Sequence, residues 1–518
     1  MRNLGIVLLV VFLAIVPLAF ADELPGYTIR HYSLRIEPDF DHLSTTIRTD
    51  IEIDNPRLLN TFEFTVRQPF EAVSVTSPGT TVTTTMLDGT LTVKIAKPKA
   101  KVHLGVITQA QNAKSRSEDR FILDADSLFL IWSDAFYPID FDQWAPVRTT
   151  LILPEKFQGL APGHLVSRKP VGSGGTVESV FESAHPQVCF SIFADRRWTR
   201  TERTVDGMKL VTLLDPETQK WSEQIFKTSA DVLKYFADLH GSPAPEEFAF
   251  ASIPGMGGRR AFSTFIGYPP KALDREMMRT GYDAHETSLL WWGYTSHGRG
   301  PGAWQWNEGL GDYVEFMYGE ARNKPLPAIF NFFREAYLSS DFAQEPLYNE
   351  LRGNTPQKFV HGKYPWLMSA LRQKIGDEPF RKGLRKLFAD YRYKSYTYDE
   401  MFAAFESASG QSLKKFRADW IERRGVPEIK LEATSKLLDK NCTITGTIQQ
   451  DGALTGMPLD IALQSGDATA RNTITLAQGA TAFSVSTPGA PTNLQVDPDN
   501  KFILKVTPLS APTFCQGQ

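Results

Sequence analysis

The chain has 518 residues, too many for one ordinary hydrophobic core, and its length favours roughly three domains. Its composition is typical of a globular protein, with 42% hydrophobic, 22% charged and 12% aromatic residues. The net charge of −3 gives no electrostatic basis for binding nucleic acid or an anionic membrane surface. Beyond residue 21, no segment is long and apolar enough to span a bilayer.

The N-terminal residues have the pattern of a secretory signal peptide. Arg2 supplies a positive charge, the segment from Leu4 to Phe20 is almost wholly apolar, and Ala19-Phe20-Ala21 has the small residues that signal peptidase requires. We therefore expect residues 1–21 to be removed and the mature protein to be periplasmic or extracellular. The alternative is an uncleaved segment that anchors the protein to a membrane.

The next part of the chain, residues 27–200, is predicted to form β-structure. Apolar residues alternate with polar ones, so that every second side chain would lie on one buried face. This alternation is clear at Tyr32, Leu34 and Ile36 and again at Phe62, Phe64 and Val66. Asp88-Gly89, just before another alternating run, predicts a two-residue hairpin turn.

From about Trp221 to about Arg424 the apolar spacing becomes helical. Gly241 follows one such run at the position of a C-terminal cap. Thr397 and Glu400 have the spacing of a capping box, and Ser412 is expected to cap a last helix.

Residues 428–508 return to short apolar runs separated by Gly, Pro and Asp-Gly, which predicts a small β-sandwich. Cys442 and Cys515 lie in this C-terminal region, and export would allow them to form a disulfide. Cys189 would then be a buried free thiol.

The segment most informative about function begins at His285-Glu286 and contains Leu289. In the zinc peptidase motif H-E-x-x-H, two histidines one helical turn apart bind the ion, and the glutamate activates the metal-bound water. The first histidine and the glutamate are present here, whereas Leu289 occupies the position of the second histidine.

A second motif, W-N-E-G-L-G-D-Y, contains Glu308, and eighteen residues separate Glu308 from Leu289. Together the two motifs resemble those of the membrane alanyl aminopeptidase family of gluzincin zinc metallopeptidases, the aminopeptidase N and leukotriene A-four hydrolase type. This resemblance implies a multidomain α+β fold in which a β-saddle precedes a thermolysin-like α/β domain and a small β-sandwich. The corresponding ranges are 22–205, 206–427 and 428–510.

The resemblance assigns roles to residues of the two motifs. His285 and Glu308 match zinc ligands, and Glu286 matches the general base. Leu289 offers no lone pair, and one of three ligands is therefore lost.

Two further segments of the family's site also differ here. The family's G-x-M-E-N motif, whose glutamate binds the substrate's α-ammonium, corresponds to the stretch Gly255, Met256, Gly257 and Gly258, with Gly257 in place of the acid. Arg259 and Arg260 follow and would repel an ammonium. His361 takes the position of the tyrosine that stabilises the oxyanion, and a protonated imidazole could still donate there.

Three functions remain compatible with these substitutions. The first is a pseudopeptidase that binds a peptide or protein segment in the cleft of the family fold, with zinc bound weakly or not at all. The second is an active zinc metallopeptidase with an unusual site, in which His361 replaces the missing ligand or water completes the set. The third is a purely structural or interaction protein. The sequence does not fix an oligomeric state.

Other residues near the motifs receive structural interpretations. His297 is expected in a loop, and Trp291 and Trp292 are expected to pack in the core. Asp312 lies one helical turn after Glu308; it is either a hydrogen-bond acceptor for His285 or, in the favoured interpretation, a solvated helix acid.

Overall fold

The computed structural model describes residues 26–110, 121–183, 185–242, 247–279, 284–300, 303–324, 328–344, 357–438, 441–508 and 514–515. The signal-peptide prediction falls outside these residues. The chain divides into two compact units, Met1–His297 with Tyr391–Ser395, and Gly298–Asp390 with Tyr396–Gln518. Within the described part of the chain, no helix has the length and apolar character needed to cross a membrane.

The first unit begins with β-structure, as predicted. Its strands are β1 (Thr28–Asp39), β2 (Ser44–Asp54), β3 (Thr61–Thr65), β4 (Glu71–Thr76), β5 (Val82–Leu87), β6 (Thr90–Ile95), β7 (Lys101–Ala110), β8 (Ile122–Leu123), β9 (Ser127–Leu130), β10 (Val147–Pro154), β11 (Gln158–Leu160), β12 (His164–Val171), β13 (Thr176–Glu182) and β14 (Ile192–Asp195). They form a seven-stranded sheet in the order β12-β13-β10-β1-β2-β7-β4, a four-stranded sheet β11-β14-β9-β8 and a three-stranded sheet β3-β6-β5.

The alternating apolar residues of these strands face one core. Tyr32, Leu34 and Ile36 of β1 are buried, as are Phe62 and Phe64 of β3. Asp88 and Gly89 both have positive φ and join β5 to β6, which confirms the predicted hairpin turn. Cys189 is a free thiol, as predicted, but it is half-buried rather than buried.

A five-stranded sheet completes the first unit, in the order β15-β16-β17-β19-β18. Its strands are β15 (Thr199–Val205), β16 (Met208–Leu214), β17 (Glu247–Ser252), β18 (Arg260–Ala261) and β19 (Phe265–Tyr268), and its helices are α1 (Ser222–His240), α2 (Pro270–Arg279) and α3 (His285–Ser288). Helix α1 connects the parallel strands β16 and β17. Gly241 caps it in the left-handed conformation, as predicted. A short two-stranded sheet pairs β20 (Ser296–Gly298) with β21 (Lys394–Tyr396).

The second unit begins with helices. They are α4 (Ala303–Ala321), α5 (Ala328–Leu338), α6 (Gln357–Ile375), α7 (Asp377–Asp390), α8 (Tyr398–Ser409) and α9 (Lys414–Arg417). The capping box of Thr397 and Glu400 is present at the start of α8. The N-cap position of α9 is Leu413, one residue later than predicted, but the Ser412 hydroxyl accepts a hydrogen bond from the Lys414 N–H at 3.4 Å and so caps the first N–H of the helix.

The rest of the second unit is the predicted β-sandwich. Its strands are β22 (Glu428–Leu438), β23 (Asn441–Gln450), β24 (Pro458–Ser465), β25 (Ala468–Thr475), β26 (Ala480–Pro488), β27 (Asn493–Val496) and β28 (Lys505–Pro508), in sheets β26-β23-β22-β28 and β25-β24-β27. Cys442 and Cys515 form a disulfide with Cα atoms 5.8 Å apart. The Trp366 indole of α6 donates to the carbonyl of Asn500, joining the helices to the sandwich.

Helices α4 and α6 approach closely because α4 has a glycine at their contact. A Cβ atom on Gly309 would lie 2.1 Å from the Cβ of Tyr364, which belongs to the helix framework and cannot rotate away. On the same helix, a Cβ on Gly319 would lie 3.6 Å from its nearest neighbour, an ordinary contact. The two glycines therefore form a matched pair for testing this packing.

We expect Gly309→Ala to lower the free energy of unfolding by about 1–3 kcal/mol, because the added methyl group overpacks the α4–α6 contact. Gly319→Ala is the control, and it should leave stability unchanged or raise it by up to about 1 kcal/mol through helix propensity. Urea unfolding of the two variants and the parent measures the difference. Equal midpoints for the two variants would show that the helices do not meet at Gly309.

Candidate functional site

Helix α3 carries the first motif, and it is only one turn long. His285–Ser288 are all buried, and Leu289 follows as the C-terminal cap. The Leu289 N–H donates to the His285 carbonyl at 3.3 Å, which keeps these two residues one helical turn apart on the same face. Beyond Leu289 the helix loosens: the N–H groups of Tyr294, Thr295 and Ser296 each donate to the carbonyl five residues earlier.

Leu289 is buried with 8% of its surface exposed. Its side chain therefore places hydrocarbon where the motif would have an imidazole. The first unit thus supplies one motif imidazole, from His285, which is also buried. A zinc site of the H-E-x-x-H type needs two imidazoles from this motif.

Two groups interact with Glu286, the predicted general base. One belongs to strand β18 and the other to the residue just before it. Its Oε2 accepts a hydrogen bond from the Ala261 backbone N–H at 2.7 Å. Its Oε1 lies 3.4 Å from Nε of Arg259. Both oxygens of this buried carboxylate therefore interact with groups of the protein.

Strand β18 accepts a further hydrogen bond. The Tyr294 hydroxyl donates to the Ala261 carbonyl at 2.7 Å, and the Tyr294 carbonyl accepts from the Trp144 indole. Strand β18 is the last strand of its sheet, and edge strands can pair with an added peptide strand. At Ala261, the N–H and the carbonyl are both already used within the protein.

The segment predicted to bind substrate connects β17 to β18. Gly255 is exposed and has a φ of 86°, in the left-handed region. Met256 is buried in the core cluster with Ile253 and Phe262, so its side chain anchors the loop. Gly257 and Gly258 are half-buried, and a Cβ on Gly258 would meet no atom within 4 Å.

In the second unit, α4 carries the predicted ligand Glu308, which is half-buried. Asp312, one turn later, is 1% exposed. The favoured interpretation of Asp312 as a solvated acid is therefore wrong. Nδ1 of His361 on α6 lies 2.7 Å from Oδ2 of Asp312, and the Phe333 ring stacks on the imidazole.

Glu315 is a candidate that the sequence analysis missed. It is buried, and one of its carboxylate oxygens lies within 4.8 Å of an oxygen of Asp312 on the same face of α4. The sequence could have indicated Glu315, because it follows Asp312 by three positions and residues three apart on a helix are neighbours on its surface. When both carboxylates are ionised they repel each other, so a proton or a cation would stabilise the pair.

The described side chains whose chemistry and burial suit a metal ion are His285 in the first unit and Asp312 and Glu315 in the second. Each unit by itself offers possible ligands: the imidazole of His285 in the first is a donor that zinc accepts, and the neighbouring carboxylates of Asp312 and Glu315 in the second suit divalent ions. The motif imidazole at position 289 is missing.

The remaining residues near the motif are structural. Trp291 and Trp292 pack against His240, which accepts a hydrogen bond from the Trp292 indole at 2.7 Å; the packing prediction is confirmed. The prediction of a loop at His297 is wrong, because His297 is buried in β20 and its Nδ1 lies 3.1 Å from the Gly293 carbonyl. Burial lowers the pKa of His297 to about 4, so it is neutral at physiological pH.

No protein-family model matches the chain. Segments of it are similar to three curated aminopeptidases. Aminopeptidase N of Lactococcus lactis subsp. lactis is 30% identical over 103 residues, which is 20% of this chain and 12% of the relative. Probable aminopeptidase 2 of Sulfurisphaera tokodaii is 26% identical over 95 residues, 18% of this chain and 11% of the relative. The puromycin-sensitive aminopeptidase of Caenorhabditis elegans is 24% identical over 159 residues, 29% of this chain and 17% of the relative.

The fold is similar to that of a solved structure, Legionella pneumophila aminopeptidase A in complex with aspartic acid. The TM-score is 0.67 with 13% sequence identity, and the similarity covers 94% of this chain and 60% of the Legionella chain. This similarity confirms the multidomain α+β fold class over nearly the whole chain.

Proposed function

We propose that this chain, which is related to the aminopeptidases of the aminopeptidase N type, is an exported pseudopeptidase that binds peptides or protein segments without hydrolysing them as an aminopeptidase. The matched segments are a small part of the curated relatives, at 11–17% of their lengths. Activity, ligand and location are therefore inferred from the chain's own residues.

The observation that carries the proposal is that both carboxylate oxygens of Glu286 interact with other groups of the protein. A general base must accept a proton from water, and it does so through a carboxylate oxygen within hydrogen-bond reach of that water. Here the Ala261 N–H binds one oxygen and Arg259 approaches the other. These partners compete with a water for the lone pairs of Glu286 and direct its carboxylate towards β18.

The metal site supports the same proposal. By motif, His285 and Glu308 are the two ligands retained, and Leu289 has replaced the third. Loss of one ligand from a three-ligand zinc site removes several kcal/mol, which weakens binding by roughly a thousandfold or more. Zinc, where bound, would supply Lewis acidity, and the proposal is that it binds weakly or not at all.

The segment predicted to bind substrate also supports the proposal of a pseudopeptidase. Gly257 stands where the related aminopeptidases have the acid that binds the α-ammonium, and Arg259 and Arg260 follow it. His361 stands in place of the tyrosine and pairs with Asp312. The groups that an aminopeptidase uses to hold an amino terminus and an oxyanion are thus replaced.

Export is proposed from the N-terminal sequence, in which signal peptidase would cleave before Asp22. N-terminal sequencing of the protein recovered outside the cytoplasm measures this directly. A sequence that starts at Met1 in the membrane fraction would support an anchor instead.

The second candidate function is an active metallopeptidase with an unusual site. The observation that favours it is the presence, within the second unit, of two buried carboxylates able to bind a metal, Asp312 and Glu315, besides the motif residue Glu308. If His361 is the substitute ligand, Nε2 is its ligating nitrogen, because Nδ1 pairs with Asp312 in the way that ligating histidines commonly pair with a carboxylate. Assays at saturating zinc separate the two functions.

We expect the purified protein to release no N-terminal residues from aminoacyl coumarin amides, even with zinc in excess, and the rate with Glu286→Gln to equal that of the parent. Loss of a working general base lowers a rate by about 10²–10⁴-fold. Zinc-dependent turnover that Glu286→Gln abolishes would therefore establish the metallopeptidase and exclude the pseudopeptidase.

We also expect Leu289→His to raise zinc affinity by roughly a thousandfold, because it adds an imidazole one turn from His285 on the same face of the helix. Leu289→Ala is the control, because it removes the leucine without adding a ligand. Competition with a zinc chelator measures both variants. Equal zinc affinity in the two variants would mean that His285 and residue 289 do not share an ion.

A further inference from the structure

Strand β5 is an exposed edge of the first unit that has neither a charged residue nor a proline. It is the last strand of the sheet β3-β6-β5, and its sequence is V-T-T-T-M-L. Five of its six residues are exposed, among them Met86 at 45% and Leu87 at 71%. Edge strands have backbone groups that can pair with another chain, and proteins usually protect them with charges, proline, bulges or short length.

The other described edge strands of the four sheets that lie wholly in the first unit are protected in these ways. Strand β12 carries two basic residues and a proline, and β15 carries three charged residues. Strands β3 and β4 include Glu63 and Glu71, and the register of β4 also shifts between Ala72 and Ser74. Strands β8, β11 and β18 are only two or three residues long. Strand β5 differs from all of these edges.

The pairing of β5 with β6 determines which of its backbone groups face outward. Just before the strand, the Ala96 N–H donates to the Thr81 carbonyl, and the antiparallel register then continues without a shift. In such a ladder, residues that bond to the neighbouring strand alternate with residues whose N–H and C=O groups face away from it. Counting from Thr81 in steps of two, the outward-facing residues are Val82, Thr84 and Met86. No described strand pairs with β5 on that side.

The side chains of these three residues lie on the face of the sheet that forms the core. Thr84 lies opposite Val93 of β6. Met86 lies opposite Leu91, and both of these β6 residues are buried. Directly opposite residues of paired strands project from the same face. The core therefore ends at β5, and a further strand at this edge would extend the face and cover Met86.

We propose that β5 pairs with β5 of a second copy of this chain, antiparallel and centred on Thr84, to form a homodimer. In this register Thr84 lies opposite Thr84 of the copy, and Val82 lies opposite Met86 of the copy. Threonine pairs and apolar pairs stabilise a sheet when they lie directly opposite, whereas like charges there are destabilising. Strand β5 has no charge that would repel its own copy, and its apolar residues are placed symmetrically about Thr84.

A dimer formed by one edge strand is expected to be weak. Stable protein interfaces typically bury about 1,200–2,000 Å², and the edge of a six-residue strand is at or below the lower limit. We therefore expect the purified protein to be monomeric at about 1 µM and increasingly dimeric towards about 200 µM, as mass action requires. Sedimentation velocity over this range measures the equilibrium.

Two substitutions at Thr84 test the proposed register. Thr84→Pro removes an outward-facing N–H but no hydrogen bond to β6, and proline is tolerated at such edge positions. Thr84→Lys places two like charges opposite each other at the symmetry axis. Each variant should dimerise about tenfold or more weakly than the parent.

Thr204→Lys is the matched control for the lysine variant. Thr204 is an exposed threonine on the edge strand β15, so the substitution adds the same charge to a different edge. It should leave the monomer–dimer equilibrium unchanged. Thermal unfolding of each variant shows whether it is folded.

A cysteine at the symmetry axis provides a test that depends on a gain and not on a loss. The Cα atoms of a hydrogen-bonded antiparallel pair are about 5.5 Å apart, within the range of roughly 4.4–6.8 Å that a disulfide spans. Mild oxidation of Thr84→Cys should therefore give a covalent dimer on a non-reducing gel. Thr204→Cys is the control, and the parent, which has the free thiol Cys189, gives the background.

Three results would each overturn the inference. The first is a parent protein that remains monomeric up to about 200 µM. The second is a dimer that persists unchanged in both Thr84→Pro and Thr84→Lys, because its interface would then lie elsewhere. The third is a Thr84→Cys variant that cross-links no more than the Thr204→Cys control. Loss of peptide binding in Thr84→Pro with dimerisation intact would likewise assign the edge to a peptide ligand instead of a second copy.

Discussion

The buried carboxylate of Glu286 is the constraint on which the arrangement of the first unit's site depends. A carboxylate removed from water requires hydrogen-bond donors or a cation, because an unpaired buried charge is strongly unfavourable. The Ala261 N–H and Arg259 supply these partners. Strand β18 and helix α3 are thereby held together, and the strand's exposed edge is used for this purpose at Ala261.

The same physical requirement explains the second unit's buried polar residues. Asp312 lies inside the helical layer beside Glu315, where two like charges would repel each other. The His361 imidazole pairs with Asp312 at 2.7 Å and packs on Phe333. Gly309 lets α6 come close enough to α4 for such a pair to form, because no side chain separates the two helices there.

Local features of the fold could be predicted from the sequence. The alternation in β1, the Asp88-Gly89 turn, the cap at Gly241 and the capping box at Thr397 each depend on residues within a few positions of one another. The N-cap of α9 is displaced by one residue, to Leu413, because helix boundaries depend on backbone geometry that side-chain preference alone does not determine.

The contacts of the candidate site could not be predicted in this way. Ala261 and Glu286 are 25 residues apart, and Asp312 and His361 are 49 apart. No local pattern links them, and only the folded chain brings each pair together. The motifs indicated candidate positions by resemblance, but they gave no sign that Arg259 would meet Glu286 or that Asp312 would be buried.

These pairings give the buried polar groups of each unit partners from distant parts of the sequence. A buried polar group without a partner would cost about 1–3 kcal/mol. Instead, Arg259 interacts with Glu286 within the first unit, and His361 interacts with Asp312 within the second. Each partner stabilises the residue it contacts, so the effects of mutations at the two residues of a pair should not add. A histidine introduced at position 289 would leave both pairings in place, and Glu286 would still be bound by the edge strand.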